Sequence, residues 1–287
     1  MELYRVTLRP SGDFCYADFE SYFCARSGYT VGHDQAWYTH TDTGVYFYFD
    51  YHLAQEPAGD VVTFDLHLGQ PSYFAREAVI ELEALIQSCG MRGKCLDAHG
   101  ASVAYQSETF LKGYDRANRE FCKKKRAGEQ DQNQNAEMLL SQQQQILDWQ
   151  WNYGRGDLQQ TLGSEMVVPQ ISLFGLKQRV LRGIAWLDAG GIMVPRVDVI
   201  LLNRRRLAPR KFLLKIPDMA LVNYEEIEPL LVKYGVASGG GAYQLSYEIP
   251  PQEIQAFFRS RTRHRRSLDI LLSNDRVLDR EIYNAND

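Results

Sequence analysis

The sequence predicts an α+β protein: two sandwich-like units, each a mainly antiparallel sheet with helices on one face, joined by a helical hairpin. Three observations carry that expectation. Between Gly44 and Gly90 the hydrophobic period changes from two to the helical value of about 3.6. Residues 106–162 keep helical spacing on both sides of a polar break. From residue 163 onward, strand-like runs alternate with shorter helical ones.

Leu3 to Leu8 reads as the first strand, Cys15 to Arg26 as a helix with Phe19, Tyr22 and Phe23 on one side, and Ala36 to Thr39 as a return to the sheet. In the next run Phe47, Phe49, Tyr51 and Leu53 share one face, and Tyr46, Tyr48, Asp50 and His52 the other. Val61 to Leu68 repeats the alternation, with Val62, Phe64, Leu66 and Leu68 opposed to Thr63, Asp65 and His67. Turn residues from Gln55 to Asp60 make the two runs an antiparallel hairpin, with Tyr48 opposite Asp65 and Tyr46 opposite His67. Pro71-Ser72 opens a helix with Ala75, Ala78, Val79, Leu82, Leu85 and Ile86 on its stripe, stopped by Cys89-Gly90. A short strand near Cys95 completes the order βαβββαβ.

Ser107 to Lys125 carries Phe110, Leu111, Tyr114, Ala117 and Phe121 at helical spacing. Gly128 to Asn135 holds no apolar residue, and helix resumes from Ala136 to Tyr153, giving an αα-hairpin with a polar tip. Farther on, Val180 to Leu187 and Ile192 to Leu202 read as a second hairpin, with Gly191 taking the positive φ of its turn. A strand over Lys211 to Ile216 and a helix ending at Tyr234-Gly235 follow. The last elements are a strand over Ala242 to Ile249, a helix from Pro250-Pro251 through Phe258, and an extended piece at Leu268 to Leu272. The expected domains are 1–105, 106–162 and 163–287. Trp37 and Trp186 each precede a polar turn with Gly and a long strand, a faint echo that duplication of one unit would explain.

At 287 residues, 45% hydrophobic and 24% charged, the chain has enough apolar material for a core without metals or disulfides. The N-terminus lacks the basic and long apolar regions of a secretory signal, and Cys15, Cys24, Cys89, Cys95 and Cys122 form an odd set without a CxxC pair. A cytoplasmic location with reduced thiols is the expectation. Residues 1–105 hold 6 basic against 14 acidic residues, a balance of −8, whereas residues 163–287 hold 18 against 14. The front is acidic and the back basic.

The polar face of the first hairpin offers His52, Asp65 and His67 as metal ligands or a general base. The same alternation would also point these residues outward on any one-sided sheet, and the aromatic company favours a contact surface. Trp37, Tyr38, Tyr46, Tyr48, Asp50 and Asp65 are therefore the expected partner-binding residues. A basic patch of Arg204, Arg205, Arg206, Arg259, Arg261, Arg263, Arg265 and Arg266 could contact phosphates, though a pI near 5.9 and the lack of a reading motif argue against nucleic acid as the main partner. No GxSxG, HExxH or thiol-catalyst signature occurs, so an enzyme is the lesser expectation, and no cofactor or membrane partner is expected. The sequence reads as a bacterial-type protein–protein interaction module, of the kind that neutralises a toxin as an immunity protein or adapts an effector. A metal-dependent hydrolase and a nucleic-acid-associated protein are the alternatives.

Overall fold

The computed structural model describes residues 2–52, 61–129, 138–176, 179–207, 218–262, 271–273 and 276–284. The chain is α+β and forms two compact units, residues 1–146 with 274–287, and residues 147–273.

In the first unit, strands β1 (Leu3–Pro10), β2 (Tyr29–Val31), β3 (Gln35–Thr39), β4 (Tyr46–His52), β5 (Val61–His67), β6 (Met91–Leu96) and β7 (Ser102–Ala104) form one sheet in the order β2-β3-β4-β5-β1-β6-β7. Every neighbouring pair is antiparallel. Because β5 and β6 flank β1, they run parallel to each other, and helix α2 (Tyr73–Ser88) makes the crossover between them. The hairpin has the expected register, with Tyr48 opposite Asp65; its turn lies outside the described residues.

Alternation puts Tyr4, Val6 and Leu8 of β1, Phe47 and Phe49 of β4, and Val62, Phe64 and Leu66 of β5 into the core. Helix α1 (Tyr16–Cys24) covers them with Phe19 and Phe23, α2 with Phe74, Ala78, Leu82 and Leu85, and α3 (Ser107–Glu129) with Phe110 and Tyr114. Two acids on α2 that the apolar stripe did not reveal are also buried. Glu77 accepts from the Tyr38 hydroxyl at 2.9 Å, and Glu81 from Tyr29 at 2.9 Å and Arg26 at 2.8 Å, so neither carboxylate is left without a donor. On α3, buried Asn118 accepts from Gly69 N–H at 2.7 Å and donates to the Gln70 carbonyl at 2.8 Å, pinning the link between β5 and α2. Beyond α3 the structure departs from the expected helix starting at Ala136: Met138–Leu140 is a short strand, β8, and α4 runs Gln142–Leu162. Ser141 caps it, its Oγ accepting from Gln144 N–H at 3.2 Å. Of the expected polar tip at 128–135, Gly128 and Glu129 belong to α3 and residues 130–135 lie outside the described residues.

The second unit contains α4 from Leu147, then β9 (Ser172–Leu176), β10 (Arg179–Leu187), β11 (Ile192–Val194), β12 (Val199–Asn203), β13 (Met219–Asn223), α5 (Tyr224–Tyr234), β14 (Val236–Ala237), β15 (Tyr243–Leu245), α6 (Gln252–Ser260) and β16 (Leu271–Leu272). One sheet has the order β13-β12-β10-β9-β16, and β11-β15-β14 form another. The expected hairpin of 180–202 does not exist. Pro195 interrupts that run, β11 leaves to pair with β15, and β12 returns parallel to β10. Asp188 (φ 45°) and Ala189 (φ 58°) carry the positive φ of the turn. Gly191 is needed for a close approach instead, since a Cβ there would lie 2.8 Å from the Glu165 carbonyl oxygen. The echo between Trp37 and Trp186 therefore joins unlike topologies, an antiparallel hairpin and a parallel pair. The expected strand at 211–216 lies outside the described residues.

Helix α4 holds the extended segment before β9 by its side chains. Trp151 donates to the Pro169 carbonyl at 2.8 Å, and Asn152 brackets Ile171, bonding its N–H at 2.8 Å and its carbonyl at 2.9 Å. Gln159 completes the row on Val168 N–H at 2.8 Å. The buried Asp148 of α4 pairs with Arg182 of β10 at 2.6 Å.

The chain ends in the first unit. Strand β17 (Val277–Asp279) pairs in parallel with β8, and α7 (Arg280–Tyr283) follows. Asp279 accepts from Ser72 N–H, at the start of α2, at 2.6 Å and from Gln145 at 3.0 Å; Glu281 accepts from Gln142 N–H, at the start of α4, at 2.8 Å. Two carboxylates from the tail thus meet the positive ends of two helices. Burial, with the charges of Asp115 and Glu281 nearby, pushes the Asp279 carboxyl up to about 6. Among the described residues no helix is long and apolar enough to cross a membrane.

Two outcomes are expected from these contacts. A Cβ at Gly113 would collide with the Leu96 carbonyl oxygen and the Tyr4 hydroxyl, whereas one at Gly154 of α4 would meet nothing within 4 Å. Gly113→Ala should destabilise by about 2 kcal/mol and Gly154→Ala should stabilise by about 0.5–1 kcal/mol, as read by urea unfolding. For Asp279, a folded pKa near 6 above an ordinary 3.8 means that the folded state takes up the proton first. Its contribution to stability therefore rises as pH falls through 6 and is complete below 3.8, a total of about 3 kcal/mol. The difference in unfolding free energy between the native chain and Asp279→Asn should follow that window; a difference independent of pH would refute it.

Candidate functional site

The candidate site is the face of the first sheet turned away from α1, α2 and α3. At its centre Asp65 of β5 is fully buried, 0% exposed, yet its side chain points away from the apolar core. Arg5, directly across on β1, donates to both its oxygens, Nε at 2.7 Å and Nη2 at 2.8 Å. On the other side Tyr48 is its partner across β4, and Trp37 of β3 lies opposite Tyr48. The Trp37 and Tyr48 rings lie 4.9 Å apart at 30°, and Trp37 is 46% exposed.

Two residues along β4, Asp50 stands opposite Gln35 and Thr63. Burial raises its carboxyl above the usual range, while a hydrogen bond from Gln35 lowers it. Its Oδ1 is buried and, among the described residues, has no hydrogen-bond partner. His52 Nε2 lies 3.1 Å from the Thr63 hydroxyl oxygen. His67 lies against Tyr46 and Tyr48, at ring distances of 5.7 and 6.2 Å, and burial lowers its pKa.

The structure does not assemble the expected trio of His52, Asp65 and His67 into a metal centre. Asp65 gives both oxygens to Arg5, His52 meets Thr63, and among the described residues no group of three His, Cys, Asp or Glu side chains could hold a metal ion. The expected contact set also changes. Tyr38 points into the core, stacks on Phe47 at 4.5 Å and bonds Glu77, because it alternates with outward Trp37. Tyr46 is half-buried, accepts from Gln70 at 2.8 Å and packs edge-on against Phe74. Trp37, Tyr48 and Asp50 remain together at the surface, with Asp65 beneath them.

A second group on this face was missed. Alternation along β1 and β6 turns Arg5, Arg9, Arg92 and Lys94 outward, with Arg9 directly opposite Arg92 and Lys94 opposite Thr7. The face therefore carries aromatic residues and the single acid Asp50 over β3 and β4 and four basic residues over β1 and β6, in a unit whose sequence is acidic overall. The spacing Arg5-x-x-x-Arg9 and Arg92-x-Lys94 was the available signal; regional charge totals concealed it.

Among the described residues, the arginines of the second unit that were expected to form a basic patch have different surroundings. Arg204 is 2% exposed and donates to the carbonyls of Phe258, at 2.9 Å, and Arg261, and to Asp218. Arg261 pairs with Glu226 at 2.6 Å and lies over the Phe257 ring, and Arg259 bonds Gln255. Arg205 and Arg206 are exposed, the latter 4.0 Å from Asp188; Arg263, Arg265 and Arg266 lie outside the described residues. Compared with protein-family models, curated proteins and solved structures, the chain finds no match.

Removing Arg5 would leave a buried carboxylate without its cation. Because the Arg5 side chain is itself 55% exposed, Arg5→Ala should cost about 2 kcal/mol, below the 3–5 kcal/mol of a fully buried pair. The apolar double variant Arg5→Met with Asp65→Leu should recover most of that loss in urea unfolding; equal losses in both would refute the charge argument.

Proposed function

We propose that the chain is a protein-binding module that docks its partner on the outer face of the first sheet, in the role of a toxin-neutralising immunity protein or an effector adaptor. The observation that carries this reading is the Trp37–Tyr48 pair, its rings 4.9 Å apart and tilted by 30°, with Trp37 46% exposed on the face opposite the helices. Large aromatic rings with polar tips lose little conformational entropy on docking, and they dominate interface energetics where surrounding groups exclude water. The rigid antiparallel sheet beneath them fixes their positions before the partner arrives. The basic strip at one side of the face and the aromatic pair with Asp50 at the other give the partner an orientation, since a reversed partner would set its complementary charges against the wrong side.

The test uses the native chain and the double variant Trp37→Ala with Tyr48→Ala as baits in extracts of the source cells, followed by affinity measurement with the purified partner. Binding should weaken at least ~30-fold in the variant, corresponding to one lost hot spot, at an unchanged unfolding midpoint. A partner held equally by both baits would overturn the reading.

A further inference from the structure

We propose that the outward side chains of β6, Arg92, Lys94 and Leu96, receive an acidic segment of the protein partner. The proposal rests on the docking reading above and names the partner's chemistry at one side of the face. The three residues occupy alternate positions of β6 and all are exposed, Leu96 at 42%. Among the described residues neither Arg92 nor Lys94 meets a carboxylate, whereas Arg5 gives its guanidinium to Asp65. A carboxylate arriving from outside therefore has two solvent-facing cations to meet and no internal ion pair to break. Small side chains flank the approach, with Thr7 of β1 across from Lys94 on one side and Ala104 of β7 across from it on the other.

Alternate residues of a strand stand about 7 Å apart, which is also the repeat of alternate side chains in an extended segment laid along β6. Carboxylates at two alternate positions of such a segment would meet Arg92 and Lys94 together, and an apolar residue at the next would cover Leu96. That mixture favours protein over nucleic acid. A phosphate backbone offers Leu96 no apolar cover, the outward residues of β1 and β7 include no ring on which a base could stack, and the balance of −8 over residues 1–105 opposes a long polyanion. The contact also falls within reach of the aromatic pair. Lys94, Thr7, Thr63 and Asp50 lie in one cross-strand row, so Asp50 is three strands, about 14 Å, from Lys94. Tyr48 is the next outward residue along β4 from Asp50, and one partner covering about 800 Å² takes in both sides of the face.

The full chain, labelled with nitrogen-15, is titrated at low ionic strength with acetyl-Glu-Ser-Glu-Ser-Leu-amide, its glutamine analogue and a twelve-residue oligothymidylate. The backbone N–H signals of residues 92–96 should shift saturably with the acidic peptide, and the glutamine analogue should bind at least ~10-fold more weakly. Arg92→Gln with Lys94→Gln, both at exposed positions, should weaken the acidic peptide about tenfold at an unchanged unfolding midpoint, the effect of losing two exposed ion pairs. No saturable shift, equal binding of the glutamine analogue, indifference to the Arg92→Gln, Lys94→Gln exchange, or a response of these signals to the oligonucleotide alone would overturn the proposal. Self-association in sedimentation that Lys94→Glu abolishes would also overturn it, by placing a second copy on the strip. A purified partner lost by the Trp37→Ala, Tyr48→Ala variant but held fully by Arg92→Gln, Lys94→Gln would remove the acidic contact and leave the docking reading standing. A partner held by the first variant and weakened by the second would do the opposite.

Discussion

The ion pair between Arg5 and Asp65 is the constraint around which the first unit is arranged. A carboxylate with no solvent exposure must be neutralised where it stands, and the guanidinium that does so comes from the residue directly across on β1. A slip of one residue between β1 and β5 would turn Arg5 inward and Tyr4 and Val6 outward, so charge and apolar pattern specify the same register. With β1 fixed beside β5, its other edge is open to β6, and the α2 crossover has one course to take. The pair also decides chemistry. Asp65 is a structural acceptor in the floor of the outer face, with both oxygens given to Arg5.

Elsewhere, the backbone is held by side chains reaching from helices or from the tail. Asn118 and Asn152 each offer a donor and an acceptor to extended backbone, much as a neighbouring strand would. Asp279 and Glu281 reach helix starts more than a hundred residues away in sequence. Asp279 bears the greater burden, because its carboxylate is buried among amides and N–H groups with acidic charges nearby. Its contribution accordingly depends on protonation, while the exposed Glu281 contact caps α4 at little desolvation cost.

The outer face combines properties that regional charge counts separate. An acidic unit presents a basic strip, because alternation collects Arg5, Arg9, Arg92 and Lys94 on one side of two adjacent strands. The aromatic pair lies across the sheet from that strip, with Asp50 at its margin. On the proposed docking reading, such a surface would favour one orientation of a partner over others, and the sheet beneath it would leave the aromatic rings little freedom to lose. The second unit's arginines do different work: Arg204 ties β12 to the end of α6 through carbonyl oxygens, a role closer to a buried staple than to a phosphate contact.

By itself the sequence determined the α+β class, strands β1, β3, β4, β5 and β6 and helices α1, α2 and α3 of the first unit, and the Tyr48–Asp65 register, because period-two and period-3.6 patterns are local properties that burial on one face imposes. It also placed Trp37, Tyr48 and Asp50 on one side of the sheet. Only the tertiary structure decided which strands meet across long distances: β1 between β5 and β6, β12 parallel to β10 with β11 diverted to β15, and the tail returned to β8. Local pattern is silent about partners beyond the next turn, so the 192–202 run concealed the break at Pro195, and Arg204 read as a surface cation until its carbonyl acceptors were in place. The same limit hid Glu77, Glu81 and Asp279, whose burial depends on hydroxyl, guanidinium and amide donors contributed by other parts of the chain.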